Sequence, residues 1–105
     1  MNTEKMTGKT IVITGSGSGM GAAMAKEFAS REAKVALLDL NEEGLKKTAK
    51  AIEDNGGQCV YYKTDVTAKK AVEAAEDAVE EKFGPITSWV NSAGVYRMQP
   101  FLDCS

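Results

Sequence analysis

Residues Thr10 to Gly21, T-I-V-I-T-G-S-G-S-G-M-G, run a short β-branched stretch into four alternating glycines. Ile11, Val12 and Ile13 are too few for a helix and suit a strand buried on both faces. After the glycines at 15, 17, 19 and 21 comes Ala22-Ala23-Met24-Ala25-Lys26-Glu27-Phe28-Ala29, a run of good helix formers. Strand, glycine turn and helix in that order make an anion site. The first N–H groups of a helix lack intrahelical partners, and the positive end of its dipole faces whatever lies ahead. Glycine is needed because a side chain would hold an anion off the backbone and because the turn requires positive φ.

Two glycine registers fit. Thr14-Gly15-x-x-x-Gly19-x-Gly21 counts from the strand end, and Gly17-x-Gly19-x-x-Ala22 matches the dinucleotide fingerprint. The first is preferred, since Gly15 stands where the strand must turn. The candidate cradle is Thr14, Gly15, Ser16, Gly17, Ser18, Gly19, Met20 and Gly21.

Three further strand-like runs follow: Val35 to Asp39, Cys59 to Tyr62, and a less apolar Ile86 to Asn91. Helical patterns alternate with them. Asn41 can cap one that opens with Glu42 and Glu43, the favourable charge for that end. Leu45, Ala49 and Ile52 repeat at i, i+4 and i+7 until Gly56-Gly57 ends it. Thr67 is expected to cap the next helix, whose Val72, Ala75, Val79 and Phe83 form one face before Gly84-Pro85. Trp89 reads as core.

The pattern β-α-β-α-β-α-β, with connections short enough for single-helix crossovers, means a parallel sheet with helices on both faces. Right-handed crossovers give the strand order 3-2-1-4, a Rossmann-type doubly wound α/β fold in one domain over residues 1–105. A ligand is expected in the crevice between the first and fourth strands, where the order reverses.

Composition removes several classes of function. A net charge of −2 gives no reason to expect nucleic acid or an anionic membrane as partner. No apolar run approaches a bilayer span, and Met1 to Lys9 lacks a signal-peptide hydrophobic region, so the expected compartment is the cytoplasm. Cys59 and Cys104 lack metal-ligand spacing and histidine is absent, which excludes a structural zinc site and a Ser-His-Asp triad.

Asp39 stands 20 residues beyond Gly19, at the end of the second strand. A carboxylate there can accept hydrogen bonds from both hydroxyls of an adenosine ribose. It would repel a 2′-phosphate carrying about −1.5 to −2 charge, so NAD is expected over NADP.

Thr14-Gly15-x-x-x-Gly19-x-Gly21, Asp39, Asp65-Val66 and Asn91-Ser92-Ala93-Gly94, in that order, resemble the short-chain dehydrogenase/reductase family. The resemblance implies that Asp65 and the Val66 N–H meet the adenine, and that Asn91, Ser92, Ala93 and Gly94 lie against the coenzyme. Ser92 replaces the family's second asparagine, and Thr87-Ser88-Trp89 replaces a more aliphatic strand. NADP-preferring relatives commonly carry a basic residue at the position of Ser18, and residue 40, another place for a phosphate-binding arginine, is Leu40.

The implied reaction is hydride transfer between nicotinamide and an alcohol or ketone, using a serine and a Tyr-x-x-x-Lys pair. The lysine lowers the phenol's pKa so that it can serve the alkoxide oxygen. No such pair occurs: Tyr61 is followed at +4 by Asp65, Tyr62 by Val66 and Tyr96 by Pro100. The chain is therefore expected to be the coenzyme-binding portion of a family member, incomplete at its C-terminus and without catalytic residues of its own. Its small-molecule substrate would need the missing half, and the uncovered fourth strand offers an edge for self-association. Two other readings stay open: a non-catalytic NAD-binding or self-associating module, and a different Rossmann-type binder, for example of S-adenosylmethionine or FAD.

Overall fold

A computed structural model describes residues 5–17 and 19–92. Its elements alternate as expected: β1 Thr10–Thr14, α1 Gly19–Ser30, β2 Lys34–Asp39, α2 Glu42–Asp54, β3 Gln58–Lys63, α3 Lys69–Phe83 and β4 Ser88–Asn91. The four strands form one parallel sheet in the order β3-β2-β1-β4. Val12 pairs with Ala36 on one side and with Trp89 on the other.

Side-chain alternation explains the two-faced packing. Ile11, Ile13, Val35 and Leu37 point to one face and are sealed by Ala25 and Ala29 of α1 and Leu45, Ala49 and Ile52 of α2. Val12, Ala36 and Leu38 point to the other, against Ala75 and Val79 of α3. The first two crossovers move along the sheet in one direction and the third returns past β2 and β1. With right-handed connections, that reversal puts α3 on the opposite face from α1 and α2.

α2 begins as its sequence suggests, with the Asn41 side chain accepting the Gly44 N–H at 3.1 Å. Three local expectations need correction. The N-cap of α3 is Ala68 rather than Thr67, and no side chain caps it. Thr67 instead donates its hydroxyl and N–H to Asp65 Oδ1, at 2.6 and 3.0 Å. A Ser or Thr hydroxyl held in a local turn is lost to the helix end.

The second correction is the start of β4, at Ser88 instead of Ile86. Pro85 offers no N–H, and the Thr87 side chain takes the next position: it accepts the Thr10 N–H at 2.6 Å and donates to the Thr10 carbonyl at 2.9 Å. Third, Trp89 packs on the α3-side cluster but is only half-buried. Among the described residues α3 alone covers that face, and β4 ends the sheet order.

Candidate functional site

The turn after β1 is bare backbone pressed against its neighbours. Gly15 has φ 70° and Gly19 φ 58°, the left-handed region in which glycine is unstrained. Around Gly15 the Thr10–Thr14 strand reverses toward the helix, and its N–H donates to the Leu38 carbonyl at 2.8 Å. Ser16 is fully buried and turns its hydroxyl back onto the Ile13 carbonyl at 3.0 Å. α1 starts at Gly19, so Gly19, Met20 and Gly21 are its first turn rather than part of the preceding loop.

The glycines serve different ends. A Cβ on Gly21 would collide with the Gly15 carbonyl and sit 2.6 Å from Ser92 Oγ, so glycine here lets α1 approach the turn. A Cβ on Gly19 would meet nothing within 4 Å. That open side, at the start of a helix with no acidic residue in its first turn, fits a bound diphosphate.

Asp39 ends β2 beside this loop. Its Oδ2 accepts the Gly17 N–H at 2.9 Å, and its Oδ1 accepts the Asn41 N–H at 3.3 Å. Each carboxylate oxygen has two acceptor positions, so one on each remains for a sugar hydroxyl. A side chain on Gly17 would intrude here, its Cβ 2.7 Å from Oδ2.

The end of β4 is tied to the end of β1. Thr14 is buried and donates its hydroxyl to Asn91 Oδ1 at 2.7 Å, while the Ser92 hydroxyl donates to the Thr14 carbonyl. Thr14, Gly15, Ser16, Gly17, Gly21, Asp39, Asn91 and Ser92 thus surround the carboxyl ends of β2, β1 and β4. Leu40 and Met20 are 57% and 58% exposed, the exposed large hydrophobics among the described residues. Ser18, Ala93 and Gly94 lie outside the described residues.

Among the described residues, Asp65 and Val66 share no hydrogen bond with this group. Asp65 is exposed and its Oδ1 is taken by Thr67, whose hydroxyl and then N–H hold the carboxyl below its usual range. Val66 is half-buried and packs its side chain with the α3-side cluster.

Two residues that composition and spacing did not single out also touch the loop. The buried Thr48 hydroxyl of α2 donates to the Ser16 carbonyl at 3.1 Å. Gly44 packs so tightly on the Gly17 carbonyl that a Cβ would collide with it. Each leaves a trace in the sequence: a glycine inside a helix costs about 1 kcal/mol against alanine, and Thr48 interrupts the apolar stripe of Leu45, Ala49 and Ile52.

The family model for short chain dehydrogenases matches residues 9–105. The D-threitol dehydrogenase of Mycolicibacterium smegmatis is 41% identical over 101 residues, which cover 96% of this chain and 39% of that protein. Among solved structures, a dehydrogenase/reductase from Sinorhizobium meliloti superposes with a TM-score of 0.83 at 37% identity, over 86% of this chain and 36% of that one. A short chain dehydrogenase/reductase from Burkholderia phymatum in complex with NAD gives 0.78 at 36% identity, over 81% and 30%. The chain therefore spans under two fifths of the length of these relatives.

Proposed function

The chain belongs to the short-chain dehydrogenase/reductase family, and from that premise we propose that it binds NAD in preference to NADP. It does so as the coenzyme-binding portion of an oxidoreductase acting on an alcohol or ketone. NAD supplies the nicotinamide that takes or gives the hydride. The roles are in binding: the loop from Thr14 to Gly21 cradles the diphosphate, Asp39 holds the adenosine ribose, and Leu40 stands where an NADP enzyme could place a cation. Asp65 and Val66 border the adenine, Asn91 and Ser92 line the other wall, and Ala93 and Gly94 complete the same family motif in sequence. No proton transfer is assigned to any of the 105 residues, since none of the three tyrosines has a lysine four positions on.

The observation that carries this reading is the Asp39 carboxylate on the Gly17 N–H, an acid seated at the rim of a side-chain-free loop. A relative solved with NAD bound supports the dinucleotide. The choice against a 2′-phosphate rests on Asp39 together with the lack of a basic residue at 18 and 40. Calorimetric titration of the purified protein with NAD and with NADP tests it. The expected result is saturable NAD binding with NADP weaker; no heat of binding at millimolar NAD overturns the reading.

A further inference from the structure

The peptide joining Ser16 to Gly17 is held at both ends. Its carbonyl accepts the Thr48 hydroxyl at 3.1 Å, and its N–H donates to Asp39 Oδ2 at 2.9 Å. A trans peptide is planar with C=O and N–H pointing opposite ways, so one rotation breaks both bonds. Thr48 is 4% exposed and Ser16 fully buried, and a hydroxyl in such a place is costly unless partnered. One helical turn before Thr48, Gly44 packs so close to the carbonyl of Gly17 that a Cβ there would collide with it.

We propose that Thr48 is a positioning residue for ribose recognition, acting on Asp39 through the Ser16–Gly17 peptide. The hydroxyl sets the tilt of that peptide, the tilt sets where the Gly17 N–H points, and the N–H fixes one oxygen of Asp39. With Oδ1 on the Asn41 N–H, the carboxylate plane is defined from two sides before a sugar arrives. This rests on the coenzyme reading above, and goes beyond it by placing part of the selectivity in a buried side chain that touches no coenzyme.

The test is the ratio of NAD to NADP dissociation constants, measured by calorimetry on the purified protein and its Thr48→Val, Thr48→Ser and Asp39→Ala variants. Thr48→Val keeps the volume and removes the hydroxyl. It is expected to weaken NAD by about two- to tenfold, the range one neutral hydrogen bond carries, and to narrow the ratio, while Thr48→Ser stays within about twofold of the parent. A purely structural threonine would lower the unfolding temperature and leave the ratio of the folded protein unchanged, which overturns the proposal. Should Thr48→Val not fold, Thr48→Ala is compared with Thr48→Ser by the same criterion. If Asp39→Ala collapses the ratio and the Thr48 variants do not, the relay fails and the coenzyme reading stands; if Asp39→Ala leaves it unmoved, both fall.

Discussion

Replacing Asp39 with alanine removes two proposed bonds to the ribose and one source of repulsion toward a 2′-phosphate. The side chain is half-buried, which tempers both effects. A hydrogen bond to a charged group is worth roughly 1.5–3 kcal/mol, and with solvent at hand the lower end applies to each. The sum, about 3 kcal/mol, corresponds to roughly a hundredfold loss of NAD affinity. For NADP the carboxylate and phosphate would stand near 4 Å, where a unit pair costs about 4 kcal/mol near a protein surface. Solvent screening halves that to about 2 kcal/mol, so the variant regains roughly thirtyfold for NADP. The NAD-to-NADP ratio should therefore fall by about 10² to 10⁴. The Gly17 and Asn41 N–H groups lose their acceptor but can be taken up by water, so the fold should persist. Paired titrations at low and at high salt provide the assay. In the parent, added salt should weaken the discrimination against NADP, and in the variant it should matter less. An unchanged ratio, with the variant folded, refutes the role given to Asp39.

Two glycines of the loop should respond differently. Gly21→Ala drives a methyl into the Gly15 carbonyl and should destabilise the protein by about 1–3 kcal/mol, read from urea unfolding. A Cβ at Gly19 would meet nothing within 4 Å, but Gly19→Val forces a β-branched residue to φ 58°, at roughly 1–2 kcal/mol, and should abolish NAD binding in calorimetry while the protein remains folded. Burial, with a smaller contribution from the charge of Glu53, raises the Cys59 thiol to about 11. Since the neutral form is favoured in the fold, that stability is intact below the usual thiol value of 9.0 and is lost as pH rises through about 11. Urea midpoints at pH 8 and at pH 10.5 should show the drop, and Cys59→Ala should reduce it. Peptide mapping after brief maleimide treatment at pH 8 should find Cys59 poorly labelled.

The strand order was readable because it follows from local signals. Period-2 alternation, glycine punctuation and the handedness of crossovers act along the chain and need no knowledge of distant contacts. Gly15 at the turn and Asp39 at the strand end were found in the same way, and the fold brings them to one rim. The start of α3 was misread because two local hydrogen-bonding options compete for the Thr67 side chain, and the turn with Asp65 wins. Gly44 and Thr48 were not singled out, since each acts on the loop from about thirty residues away in sequence. What marked them was a mild violation of helix preference, legible only once the helix is seen to lie against the loop.

Glycine gives the loop its bare surface and also its tendency to move, and the two must be reconciled for tight binding. Each glycine carries an ordering cost of roughly 0.5–1 kcal/mol relative to alanine, so the four from Gly15 to Gly21 cost about 2–4 kcal/mol together. Against this stand four hydrogen bonds: Gly15 N–H to Leu38, Ser16 Oγ to Ile13, Gly17 N–H to Asp39, and Thr48 Oγ1 to Ser16. At roughly 0.5–1.5 kcal/mol each they return about 2–6 kcal/mol. The two sums are of the same size, so these bonds offset the extra freedom that the glycines bring. The bonds come from β1, β2 and α2 and leave the open side of Gly19 and the first turn of α1 for the diphosphate proposed to bind there. A loop of the same glycines without those anchors would present the same surface only part of the time, with its affinity reduced by that fraction.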